Sequence, residues 1–325
     1  MKPVVVGIGA CIMDYLLHVN EKDLLRFSGG SKGGMELVSF EEFSSLIIDL
    51  GPPKAISSGG SAANMLKGLA KLGLDSLFFG CIGRDPIGSF FQRDMGKHKV
   101  ETHLSESAAP TSTSACLVTE DGERTMRTFI GASQYLSTKD ISFSSLERAS
   151  WIHLEGYLMA NPSLFEKIFS FAKANKIPIS LDLSSFEIVN AFRSNIEENL
   201  QDLSLLVANA KEAQSLTGLD PENACKKLHK SVGKVILLNG KNGCYVAENG
   251  KIHKEDAVKT NVVDSTGAGD FFLSGYLYAL FKGASLENRA KAGNFLASQV
   301  LNYYGADIEE AKWPDTITRI NTLIS

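Results

Sequence analysis

No apolar run in this chain reaches the roughly 18 residues needed to cross a bilayer, so no membrane span is expected. Cysteine is sparse: Cys11, Cys81, Cys116, Cys225 and Cys244 are scattered, odd in number and never spaced Cys-x-x-Cys. That excludes a disulfide framework and a cysteine-type zinc site, and it fits a reducing cytoplasm. Basic charge is not in excess either. With 33 Lys and Arg against 37 Asp and Glu, the formal net charge is −4, which leaves no broad basic surface for nucleic acid. The six histidines lack ligand spacing, so a dedicated zinc site is not expected. A Walker-type Gly-x-x-x-x-Gly-Lys-Ser/Thr run and a Gly-x-Ser-x-Gly elbow are both missing. Gly7-Ile8-Gly9-Ala10-Cys11-Ile12 matches a dinucleotide fingerprint only in its first two glycines, because Ile12 replaces the third. The opening Met-Lys-Pro-Val-Val-Val-Gly is too short in apolar residues for a signal peptide.

What remains is ordinary globular composition, 44% hydrophobic and 22% charged, which argues against a disordered chain. Val4–Ile8 and Leu77–Gly83 read as buried strands, Cys11–Val19 as a further extended piece, and residues 28–34 as a glycine-rich loop. Met65–Leu72 has helical spacing. Ala115–Val118, the turn signal Glu120-Asp121-Gly122-Glu123 and Arg124–Ile130 form a hairpin that departs from the main sheet. Strands at Trp151–Leu154, Ile177–Leu183, Leu203–Ala208 and Val235–Leu238 then alternate with helices at Pro162–Asn175 and Pro221–Ser231. This order predicts a mostly parallel sheet with helices on both faces, as one α/β domain over 1–325 with a small β-rich insert.

The 29 glycines are concentrated where chemistry is plausible. Asp264-Ser265-Thr266-Gly267-Ala268-Gly269-Asp270 runs directly into an apolar helix that stops at Lys282-Gly283. A glycine-rich loop at a helix N-terminus offers free N–H groups and partial positive charge to an anion. Asp270 would lie beside that anion site, as a base for phosphoryl transfer to a hydroxyl requires; simple helix capping is the competing reading. A second cluster, Gly59-Gly60 with Asn64, leaves bare backbone and an amide against which a polyhydroxylated ligand could lie. Asn209 and Glu212 follow a strand end, where ligands of parallel sheets collect, and Glu212 suits a water of hydrated Mg²⁺. Gly240-Lys241-Asn242-Gly243 is a turn after the strand ending at Leu238.

Taken together and in this order, these motifs resemble the PfkB family of carbohydrate and nucleoside kinases, the ribokinase and adenosine kinase superfamily. The resemblance covers nearly the whole chain and is most specific at Asp264–Asp270. It implies the ribokinase-like three-layer fold, with a β lid formed by inserts at about 11–40 and 99–130. It further implies that Asp270 is the base, that Gly267, Ala268 and Gly269 form the anion hole, and that Asp14, Gly59, Gly60 and Asn64 hold the sugar hydroxyls. Asn209, Glu212, Gly240, Gly243 and Asn294 would serve ATP and Mg²⁺, and Asp264 a monovalent cation such as K⁺. Leu238 departs from the pattern, since many relatives carry Thr there. Segments 32–35, 124–127 and 155–158 resemble a bacterial adenosine-kinase-like branch. The implied acceptor is therefore the 5′-hydroxyl of a nucleoside, adenosine above others, with Met126, Phe129 or Phe186 as candidates for an apolar base slot. A sugar kinase acting on ribose, fructose or a related sugar is the alternative, and a catalytically silent sensor a further one. Many relatives dimerise through the lid, which makes a homodimer compatible with this reading.

Overall fold

Val5 and Val6 belong to two different hydrophobic clusters, because successive side chains of a strand point to opposite faces. Both clusters are buried, and this is why the central strands are apolar at nearly every position. The computed structural model describes residues 2–27 and 32–325, so most of the expected loop at 28–34 lies outside the described residues.

Fourteen strands are present among the described residues: β1 (Val4–Ile8), β2 (Ile12–His18), β3 (Met35–Leu37), β4 (Ala55–Gly59), β5 (Asp75–Gly83), β6 (Glu101–Ser107) and β7 (Ser112–Val118), then β8 (Arg124–Phe129), β9 (Trp151–Glu155), β10 (Ile179–Asp182), β11 (Leu205–Asn209), β12 (Lys234–Leu238), β13 (Cys244–Glu248) and β14 (Lys251–Glu255). Nine form a large sheet in the order β14-β13-β12-β11-β10-β9-β1-β5-β6. It is parallel from β12 to β6 and antiparallel where β13 and β14 extend its edge. One face carries the helices Ser61–Lys71 and Ala268–Phe281; on the other, Leu164, Phe165 and Ile168 of the Pro162–Ala174 helix pack over the sheet.

The remaining five strands make a small sheet, β3-β8-β7-β2-β4. Leu17, Ala115 and Leu117 on its outer face are covered by Leu24, Phe43 and Leu46 from the helices Glu21–Phe27 and Phe40–Leu50. The expected hairpin is its β7–β8 pair. The boundaries expected for the lid, about 11–40 and 99–130, need correction at two points. β4 joins the small sheet because its Gly59 pairs with Ile12, and β6 belongs to the large sheet because it runs parallel to β5.

One joint fastens the two sheets. Asp85, the cap of the Pro86–Lys97 helix, accepts hydrogen bonds from Gly88 N, Thr111 N and Thr111 Oγ1, each at 2.7 Å. Gly83 N donates to the same Thr111 hydroxyl at 2.9 Å. Thr111 immediately precedes β7, so the chain enters the small sheet from a fixed point.

Two glycines of the β12–β13 connection differ sharply in their surroundings. A Cβ on Gly243, at φ +84°, would meet the Glu255 carbonyl oxygen at 1.9 Å, whereas one on Gly240, at φ +53°, would meet nothing within 4 Å. Gly243→Ala is expected to lower stability by about 3 kcal/mol or more, and Gly240→Ala by about 1 kcal/mol. Equal melting-temperature losses in the two variants would contradict this account.

Candidate active site

The parallel strands bring their carboxyl ends to one edge, and the small sheet stands over that edge beside an open cavity of about 850 Å³. Asp14, Gly60, Asn64, Asn209, Glu212, Gly240, Gly243, Gly267, Ala268, Gly269, Asp270 and Asn294 all line it. Gly59 and Asp264 lie just outside the lining.

Asp270 occupies the first turn of the Ala268–Phe281 helix. Its Oδ1 accepts from Ser61 Oγ at 2.8 Å and its Oδ2 from Asn64 Nδ2 at 2.9 Å. Two helix N-termini therefore converge on one carboxylate. Burial raises the Asp270 pKa, opposed by these hydrogen bonds and by the charges of Arg124 and Lys67. The Asn64 amide, expected to meet a sugar, is thus half committed. Its Oδ1 is buried without a partner among the described residues and is free to accept from a hydroxyl. Beside Asp270, the N–H groups of Gly267, Gly269 and Asp270 itself make no hydrogen bond among the described residues. Ala268 N reaches Ser265 O at 3.4 Å.

Several glycines sit where expected, for a different reason. A Cβ on Gly59 would strike the Asp14 carboxylate at 2.1 Å, and one on Gly60 the Ala10 carbonyl oxygen at 2.3 Å. At Gly267, φ +76°, it would strike the Ala306 side chain at 2.5 Å. These positions make room for protein groups that shape the site, rather than simply exposing backbone to a ligand. Asp264 is fully buried, and its carboxylate takes hydrogen bonds from Thr266 N, Thr266 Oγ1 and Gly305 N, which fasten the loop ahead of the anion site.

Asn209 and Glu212 form a reciprocal capping box rather than a solvated helix start. Glu212 N donates to Asn209 Oδ1 at 2.9 Å, Asn209 N to Glu212 Oε2 at 2.8 Å, and Asn209 Nδ2 to Glu212 Oε1. Burial and the neighbouring Asp182 and Glu187 push Glu212 up to about 8. Glu187 Oε2 is also buried without a partner among the described residues. No cluster of three His, Cys, Asp or Glu close enough to hold a bare metal ion occurs among the described residues. Mutually repelling oxygen donors that meet only across the cavity nevertheless suit a hydrated divalent ion. Asn294 Nδ2 donates to Asp256 O at 3.0 Å and pins the loop after β14 against the cavity.

Sequence reasoning passed over five groups. Glu155, at the end of β9, accepts from Ala10 N at 3.1 Å and Ala62 N at 2.8 Å; burial first, then like charges, raise it to about 7. Asp182, at the end of β10, is raised to about 7 by burial and by Asp270. Carboxylates ending neighbouring parallel strands were the available signal. Ser61, the first residue after the Gly60 cap, spends its hydroxyl on Asp270. Arg124, on β8, carries a cation into the cavity with no carboxylate within 4.0 Å among the described residues. Lys67 is the fifth, almost wholly buried behind the site. Of the residues considered for a base slot, Met126 lines the cavity. Phe129 packs edge-on against Phe40 with centroids 5.3 Å apart, and Phe186 is not part of the lining.

A parallel sheet roofed by a smaller one, with a carboxylate beside free helix-terminal N–H groups, defines a phosphotransferase acting on hydroxyl groups. The chain belongs to the PfkB family: the model of the pfkB family carbohydrate kinases matches residues 53–313. A solved structure of a probable sugar kinase protein from Rhizobium etli CFN 42 superposes with a TM-score of 0.93 at 28% identity, covering 100% of both chains. The adenosine kinase from Sinorhizobium meliloti gives 0.92 at 29% identity, covering 98% of this chain and 100% of that one. An uncharacterized sugar kinase of Archaeoglobus fulgidus is 26% identical over 74% of this chain and 96% of its own length. Adenosine kinases, ribokinases and a fructokinase are among the other relatives. Kinases of this family use ATP with a divalent metal and act on sugars or nucleosides. No helix among the described residues is long and apolar enough to cross a membrane.

Asp14, raised by burial to about 6, joins Glu155, Asp182 and Glu212 as carboxylates that hold protons more tightly in the folded chain than in the unfolded one. Their contribution is complete below the unfolded carboxylate range and is lost as pH rises through about 6 to 8. The ligand-free protein should therefore melt several degrees lower at about pH 8 than at about pH 5, and Glu212→Gln should flatten the difference. Calorimetric melting across that range checks it; a melting temperature that rises with pH would refute the assignment.

Proposed function

We propose that this kinase transfers the γ-phosphate of ATP to the 5′-hydroxyl of a nucleoside, with adenosine the favoured acceptor. The observation that carries the reading is the apolar wall contributed by the small sheet. Met35, Leu37 and Met126 line the same cavity as Ile130, Leu136 and Tyr157, above a polar floor of Asn64 and Glu155 that Asp14 meets from β2. Hydroxyl groups need the floor, whereas a flat heterocycle needs the wall. The cavity volume lies within the range of about 300–1,000 Å³ typical of small-molecule sites.

On this reading Asp14 and the free Asn64 Oδ1 hold sugar hydroxyls, within the space that Gly59 and Gly60 leave. Asp270, held by Ser61 and Asn64, takes the proton of the attacking hydroxyl, and its raised pKa improves it as a base. The N–H groups of Gly267, Gly269 and Asp270 face the transferring phosphoryl group, with Ala268 beside them, and Arg124 adds a cation from the lid side. Mg²⁺ bound with ATP would neutralise phosphate charge during transfer. Glu212, oriented by Asn209, would hold it through water, while Gly240, Gly243 and Asn294 shape the nucleotide end. Asp264 fastens the anion loop, and a K⁺ ion there would share a carboxylate that already accepts three hydrogen bonds.

ADP release measured with adenosine, other nucleosides, ribose and fructose should be largest with adenosine and should vanish when Mg²⁺ is chelated. Turnover of ribose or fructose alone would replace the nucleoside reading with the sugar one, and binding without ADP release would leave a sensor. Asp270→Asn is expected to lower kcat by about 10²–10⁴-fold in a protein that melts normally. Near-normal turnover in that variant would remove Asp270 as the base.

A further inference from the structure

Lys67 is only 1% exposed, in the second turn of the Ser61–Lys71 helix. Its Nζ donates to the Ser58 carbonyl oxygen at 2.7 Å, and no carboxylate lies within 4.0 Å of it among the described residues. Ser58 is gripped from its other side by Asp94, which accepts from Ser58 Oγ at 2.7 Å and from Ser58 N at 3.3 Å. A buried ammonium with a single hydrogen bond and no contact ion pair is expensive, and a methionine would fill the same space without a charge. The cation therefore needs a reason beyond packing.

Its surroundings supply one. Carboxylates from four different elements bear on the charge of Lys67: Asp307 after the Leu286–Val300 helix and Asp94 on the Pro86–Lys97 helix most, then Asp14 on β2 and Asp270 on the Ala268–Phe281 helix. His98, the cap of the Pro86–Lys97 helix, and Lys71, one turn along from Lys67, adjoin the Asp94 and Asp307 side. Toward the cavity, Arg124 acts on both Asp14 and Asp270, and Asp264 on Asp14; Glu155 and Asp182 both feel Asp270. Arg124 and, less strongly, Lys67 are thus the two cations that favour the ionised forms of Asp14 and Asp270, Arg124 carried by the small sheet and Lys67 by a helix packed on the large one.

We infer that Lys67 is a positioning residue for phosphoryl transfer: it touches no substrate, holds the strand end before Gly59-Gly60 through Ser58, and keeps Asp14 and Asp270 ionised at the buried end of the site. This rests on the reading of Asp270 as the base. Burial by itself lowers the Lys67 pKa, and the four carboxylates oppose that fall, so cation and acids sustain one another's charge.

Removing the cation must make both acids harder to ionise. In Lys67→Met protein labelled with ¹³C at the aspartate carboxyls, the Asp14 and Asp270 signals, assigned with Asp14→Asn and Asp270→Asn, should titrate about one pH unit higher than in the unmodified protein. Lys67→Arg should restore the original titration. The matching kinetic result is an acid limb of kcat/KM displaced upward, so that the deficit of Lys67→Met grows to about tenfold as pH falls and narrows as it rises. If Lys67→Met does not fold, Lys67→Gln enters the same titration. Carboxyl titrations that stay in place, or a kinetic deficit independent of pH, overturn the proposal. A shifted titration in a protein that phosphorylates no acceptor would sink the base assignment and leave the electrostatic role of Lys67 intact.

Discussion

Two helix N-termini meet at the carboxylate of Asp270, and the placement of most other groups in the site follows from that junction. Ser61 and Asn64 reach it from one helix, while Asp270 itself opens the other. Both helices direct partial positive charge toward the same small volume, and the Ala268–Phe281 helix adds N–H groups unsatisfied among the described residues. The helix pair is locked a turn further in. Ser274 donates to the Met65 carbonyl oxygen at 2.8 Å, and Gly68 leaves the space for that hydroxyl. A site that accepts phosphates in a chain of net charge −4 is then unsurprising: the relevant positive charge is local and largely that of the backbone.

The same logic explains why so many acids survive burial. Glu155 is held by two backbone N–H groups, Glu212 by the N–H and amide of its own helix cap, and Asp264 by a tight loop. Each is satisfied individually, yet burial first, and like charges second, raise Asp14, Glu155, Asp182 and Glu212. A chain that folds around such a cluster stores unfavourable electrostatics that a bound cation relieves.

Much of the fold was legible because its strands are short, β-branched and separated by strong turn residues, as Val4–Ile8 and Val235–Leu238 illustrate. Elements of mixed polarity were not. β6, Glu-Thr-His-Leu-Ser-Glu-Ser, is an edge strand with few apolar residues, and β4 looked like loop because it is rich in serine and ends in glycine. The Phe40–Leu50 helix carried a readable signal in Ser39 and Glu42, whose capping box the structure contains. At the site, glycine positions were legible but their purpose was not, since the Asp14 carboxylate that would collide with a side chain on Gly59 lies 45 residues earlier in the chain. Ser61 and Asn64 meet Asp270 across more than 200 residues, a pairing that no local pattern encodes.

The joint at Asp85 and Thr111 has a mechanical consequence. β7 leaves it as a seven-residue strand, and its far end, Val118, pairs with Arg124. At about 3.3 Å per residue the strand is a lever arm of roughly 20 Å. A rotation of about 10° about the joint would carry the guanidinium end through roughly 3.5 Å while leaving Ser112 almost still. Such a rotation would carry the cation much further than Asp14, which pairs with Ser114 close to the fixed end.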